Sequence, residues 1–196
     1  LNFKLVPQDL MLNTHQDWKF QSELLLENFI WSILPLLNLQ ELARQYRLSE
    51  QVCDILAIDP QQQLVIIELK NTEDRYIIQQ LTRYFAAVEQ HRPFQDQVNY
   101  QLPIRLVAIA PQFHAHSLID QDYNRLDVEL LTFAISSPQS GQFYFQLRQL
   151  KNDAAVEMEI PRLFHQGLYP ADEAVPALAP IQLPPPKSLH KLMTAI

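Results

Sequence analysis

Two short apolar segments that each carry charge constrain this chain more than any other feature. Residues 52–59 read Val-Cys-Asp-Ile-Leu-Ala-Ile-Asp, and residues 64–70 read Leu-Val-Ile-Ile-Glu-Leu-Lys. Pro60 and three glutamines separate them. Both are apolar on both faces, the pattern of strands central to a sheet. An ionised group in such a strand is costly unless it is paired or binds a metal. Asp54, Glu68 and Lys70 are therefore the primary candidates for a functional site.

Alternation along a strand puts Glu68 and Lys70 on the face of Leu64 and Ile66, with Val65, Ile67 and Leu69 opposite. Asp54 falls with Val52, Leu56 and Ile58, and Cys53 points away from it. If the two strands pair as a hairpin, Asp54 and Glu68 converge at one end. Two carboxylates there suit a hard cation such as Mg²⁺. The cation would polarise a phosphoryl oxygen and lower the pKa of an attacking water. Lys70 would orient that water or stabilise developing charge. The plain alternative is a surface ion pair at a strand end, worth little.

The other elements follow from periodicity. Residues 21–37 have helical spacing through Leu24, Leu25, Phe29, Ile30, Ile33 and Leu34, with Ser22 as N-cap and Pro35 and Asn38 at the end. Residues 41–48 read as a strand. A helix is predicted over residues 75–90, with its stripe at Ile77, Leu81, Tyr84 and Val88 and Pro93 beyond it. Residues 104–110 read as a third central strand, 114–121 as a short helix, and 128–135 and 142–150 as strands. This order predicts an α/β sandwich around a mixed sheet. Residues 1–20 form a lead-in and 21–150 the main domain. Residues 151–196 form a Pro-rich extension without regular elements, in which Pro170, Pro176, Pro180 and Pro184 to Pro186 fall. The chain has two glycines, Gly141 and Gly167, which excludes Gly-rich phosphate loops.

Composition sets the bounds. A net charge of −7 counts against broad electrostatic binding to nucleic acid, though not against a local basic groove. The single cysteine fits a reducing compartment, and no signal pattern or run long enough to span a membrane is visible, so a cytoplasmic location is expected.

Asp54 followed by Glu68-Leu69-Lys70 resembles the D…(D/E)-x-K motif of the PD-(D/E)XK nuclease superfamily. Gln80-Leu81-Thr82-Arg83-Tyr84 resembles the Q-x-x-x-Y motif of its RecB-like branch. The combined string is especially similar to the catalytic domain of NucS-type endonucleases, over residues 21–135. The resemblance implies a restriction-endonuclease-like αβββαβ core with a mixed central sheet flanked by helices. It also implies Mg²⁺ or Mn²⁺ dependence and cleavage of DNA, as an endonuclease rather than an exonuclease. Gln80 and Tyr84 would orient Lys70 or contact the DNA backbone. An acid on the first helix is implied too. Glu23 and Glu27 both qualify, and Glu23 opens a Glu-x-x-Leu pattern. Cys53 stands at the superfamily's loose proline, and the Gly-Arg that commonly precedes the aspartate is replaced by Val52-Cys53. The N-terminal DNA-binding domain of NucS proteins has no counterpart in this sequence.

Arg44, Arg47, Arg75 and Arg83 flank the motif and are candidate phosphate contacts. His114 and His116 are poorly spaced as metal ligands. Trp18 and Trp31 read as core residues, and the serines lack a hydrolase context. The competing reading keeps the nuclease fold without catalysis, as a nucleic-acid-binding or protein-interaction module. A homodimer clasped by the Pro-rich tail is neither required nor excluded.

Overall fold

A computed structural model describes residues 17–139 and 141–172. The chain runs β1 (Trp18–Phe20), α1 (Glu23–Ile33), β2 (Gln40–Leu48), β3 (Gln51–Ile58), β4 (Leu64–Leu69), α2 (Ile77–His91), β5 (Arg105–Ala110), α3 (Ala115–Tyr123), β6 (Val128–Gln139), β7 (Gln142–Gln149), β8 (Ala155–Glu159) and β9 (Leu168–Pro170). One mixed sheet takes in all of these strands, in the order β2-β3-β4-β5-β6-β1-β9, with β7 and β8 branching from β6. β2, β3 and β4 are antiparallel neighbours, while β4, β5 and β6 run parallel.

Helix α1 begins where Ser22 accepts the Leu25 N–H, and a 3-10 turn over Leu34–Leu37 continues it. Asn38 closes that turn in the left-handed region, where asparagine is tolerated. Leu25, Leu26, Phe29 and Ile30 of α1 pack on the sheet face made by Ile55, Ala57, Val65, Ile67 and Leu69. On the other face, Ile77, Ile78, Leu81, Tyr84 and Val88 of α2 cover Leu56, Ile58, Leu64 and Ile66. β4 is buried along its whole length. This two-sided cover explains the unbroken apolar runs in β3 and β4.

The sheet extends past residue 150, where the sequence leads to an extension without regular elements. β8 pairs with β7 through Phe145↔Met158 and its neighbours, and β9 pairs with β1 through Lys19↔Tyr169. The remainder of that extension, from residue 173 on, lies outside the described residues, as does the lead-in before Asp17. No helix among the described residues is long and apolar enough to cross a membrane.

Candidate active site

The site forms where β4 parts from β3. The β3–β4 ladder runs from Ile58↔Leu64 to Ile55↔Ile67. One position further, the Asp54 side chain replaces the ladder: its Oδ2 accepts the Leu69 N–H at 2.9 Å. β4 meanwhile stays paired to β5, because the Lys70 N–H donates to the Ile109 carbonyl at 2.9 Å. Asp54 thus sits at a fork in the sheet, opposite Glu68.

Strict alternation fails here. Cys53 packs in the same cluster as Leu56, three residues away. On β2, Gln45 stands across from Asp54, between the Arg44↔Ile55 and Tyr46↔Cys53 pairs, with φ 46° and an unbroken register on either side. Asp54 reaches toward α1 rather than lying in the α2-facing row with Leu56 and Ile58. Its Oδ1 accepts from Gln45 Nε2 at 3.1 Å, and the same nitrogen donates to Glu27 Oε2 at 2.6 Å.

Glu68 is 2% exposed. Its Oε1 receives Lys70 Nζ at 2.9 Å, while its Oε2 is buried without a hydrogen-bond partner. Burial, then the nearby Asp54 charge, pushes its pKa up to about 8. Asp54 is also raised, by burial, against the Leu69 hydrogen bond and the Lys70 charge. For Lys70, burial alone would lower the pKa. The carboxylates of Glu68, Glu23 and Asp54 outweigh it and hold the ammonium above its ordinary value. Burial raises Tyr84 strongly, with Glu68, Cys53 and Asp54 adding to the effect, so its hydroxyl stays protonated beside the acids.

Both first-helix acids reach the site by different routes. Glu23 lies 3.8 Å from Lys70 Nζ and accepts the Asn71 N–H at 3.4 Å. Glu27, 3% exposed, is held by the Arg44 guanidinium at 2.7 Å and reaches Asp54 only through Gln45. Gln80 Oε1 on α2 is buried without a partner.

The arginines separate. Arg44 is bound to Glu27 and Asn28 and lies over the Trp31 ring, so its guanidinium is engaged within the protein. Arg47 and Arg83 are exposed, and Arg83 donates to Gln51 beside the Arg47↔Val52 pair. Arg75 is exposed over Tyr76. Trp18 packs edge-on to Phe143. His114 caps α3 by accepting the His116 N–H.

Among the described residues no group of three or more His, Cys, Asp and Glu is arranged to hold a metal ion. The donors that are present nevertheless suit Mg²⁺, which commonly uses one or two protein carboxylates and keeps several waters. Asp54 and Glu68 are hard oxygen donors, both destabilised as anions where they stand, and Glu68 Oε2 has no partner. Gln45 and Asn71 were not singled out by the sequence. No motif points to them, because their roles depend on a strand irregularity and on the chain's return past Phe20, whose carbonyl accepts from Asn71 Nδ2 at 2.7 Å.

Residues 26–128 match the family described as the endonuclease NucS C-terminal domain. The chain belongs to this family. Its sheet and helices are the restriction-endonuclease-like core of a NucS domain. Two solved structures are similar. A repair endonuclease from Pyrococcus abyssi is 17% identical over 56% of this chain and 45% of its own, with a TM-score of 0.45. A structure titled as an EndoMS–dsDNA2 complex is 15% identical over 65% of this chain and 49% of its own, with a TM-score of 0.47. This chain spans about half the length of each. No curated protein matches it.

Proposed function

We propose that this NucS-family domain is a Mg²⁺- or Mn²⁺-dependent deoxyribonuclease that hydrolyses phosphodiester bonds as an endonuclease. The observation that carries the reading is the fork at Asp54: one carboxylate oriented by a backbone N–H, a second buried with an unpartnered oxygen, and a lysine 2.9 Å from it. Asp54 and Glu68 would hold the cation, with Glu23 or Glu27 assisting. When bound, the cation supplies Lewis-acid activation of the scissile phosphoryl group and of water. Lys70, charged and held between Glu68 and Glu23, positions the water and stabilises charge on the phosphate. Gln80 and Tyr84 orient Lys70 or touch the DNA backbone from α2. Arg47, Arg75 and Arg83 contact phosphates outside the fork.

The test pairs Mn²⁺ calorimetry with cleavage of a panel of labelled DNA structures, for the wild type and Asp54→Asn. The expected result is binding and cleavage in the wild type and neither in the variant. DNA binding with no metal binding and no cleavage would favour the non-catalytic module. That alternative draws on the net charge of −7.

A further inference from the structure

Gln45 stands between two acids although no motif includes it. Its Nε2 donates to Glu27 Oε2 at 2.6 Å and to Asp54 Oδ1 at 3.1 Å. The other oxygen of each acid is already engaged: Glu27 Oε1 by Arg44, and Asp54 Oδ2 by the Leu69 N–H. Two carboxylate oxygens therefore meet across a single amide nitrogen. That NH₂ group presents the positive end of its dipole where a cation would otherwise offset the repulsion of like charges. Arg44 and Leu69 would keep both carboxylates oriented after the amide left.

Two further features fit an amide that leaves. Gln45 is exposed, so its side chain can swing into water without opening the core. Glu68, buried next to Asp54, keeps an oxygen with no partner, so the fork lacks a positive group that Lys70 does not supply.

We propose that Gln45 is a placeholder for the cation. In the metal-free protein its amide bridges Glu27 and Asp54, and metal binding displaces it. Gln45 is then a positioning residue that sets metal affinity and stabilises the empty site. Displacing it costs the charge-assisted hydrogen bonds that it makes. This inference rests on the reading of Asp54 as a metal ligand.

The experiment uses the full chain. Mn²⁺ is titrated by calorimetry into wild type, Gln45→Ala and Gln45→Asn, and each protein is melted in chelator and in saturating Mn²⁺. Asparagine tolerates φ 46° and is too short to bridge both acids, so it serves if the alanine variant folds poorly. Both variants should bind Mn²⁺ ~10-fold tighter or more, because the two charge-assisted hydrogen bonds of Gln45 no longer compete with the metal. They should melt lower than wild type in chelator, and the gap should close in Mn²⁺. Unchanged or weaker affinity, with the same loss of melting temperature in both conditions, would mean that Gln45 is only structural and would overturn the proposal. If wild type and variants all fail to bind Mn²⁺, the metal reading itself falls, and this inference with it.

Discussion

Asp54 has two jobs that substitution separates. As an acceptor it satisfies the Leu69 N–H, and as an anion it would hold metal. Asp54→Asn keeps an oxygen for Leu69 and removes a charge that burial disfavours, but it loses the acceptor of the Gln45 amide, so the variant should lose metal binding and keep its metal-free stability to within about 1 kcal/mol. Asp54→Ala strips the acceptor from a partly buried N–H, which costs about 1–2 kcal/mol more. Urea titrations in chelator measure the difference, and equal stabilities would mean that the hydrogen bond contributes nothing. Glu68 makes a pH prediction. Its folded pKa, about 8, lies above the usual 4.5, so between these values the folded protein holds a proton that the unfolded chain lacks. The resulting stability is full below about pH 4.5 and is lost as pH rises through about 8, by on the order of a few kcal/mol. Asp54 is raised in the same sense, and Lys70, raised above 10.5, stays charged throughout this window. In chelator the wild type should therefore weaken from pH 5 to pH 9, and Glu68→Gln should flatten the profile. A wild-type stability that does not fall over that range would refute the assignment.

At the scale of elements, helix α1 is tied to the sheet by a charge that, among the described residues, Arg44 and Gln45 satisfy. Glu27 is 3% exposed, and Arg44 reaches it from β2. Arg44→Met leaves a buried carboxylate without its cation and should cost ~3–5 kcal/mol, whereas Glu27→Gln should cost less and Arg44→Met with Glu27→Gln should recover much of the loss. Denaturant midpoints of the three variants decide this, and additive losses would mean that the pair is not coupled. The elements themselves were largely legible. Apolar spacing and the Ser22 cap define α1, and two-sided apolar runs define β3 and β4. What could not be read was which residues meet. Arg44 looks like a phosphate contact in sequence, and its partner lies 17 residues away on another element. Gln45 has no propensity for φ 46°, and strict alternation along β3 places Cys53 on the wrong face, so the row that Asp54 occupies could not be read either. β8 owes its existence to pairing with the neighbouring β7 and β9 to pairing with the distant β1, and short segments of mixed polarity do not announce such pairing.

For the whole molecule, the difficulty is how an acidic chain would hold a polyanion. A net charge of −7 repels DNA at long range, so the proposed DNA binding would have to come from a local rim and from cations at the fork. Arg44 is committed to Glu27, which leaves the exposed arginines. Arg47 and Arg83 lie at the same end of the β2–β3 pair, linked through Val52 and Gln51, a few residues from Asp54. Arg75 lies just before α2. If these side chains meet phosphates, each neutralises a charge and releases counterions. Log K for a duplex should then fall with log salt, and each Arg→Ala change should reduce the slope by about 0.9 while weakening binding uniformly across sequences. Mn²⁺ affinity in the absence of DNA should not change, because none of the three touches an acid of the fork. The measurement is fluorescence anisotropy of a labelled duplex against salt, in Ca²⁺ to slow any cleavage, for wild type, Arg47→Ala, Arg75→Ala and Arg83→Ala. A slope that stays at its wild-type value in all three variants would place the phosphate contacts elsewhere on the molecule. The unaltered arginines would then be solvated surface charges, and DNA would have to be held by cations at the fork or by a partner's basic surface.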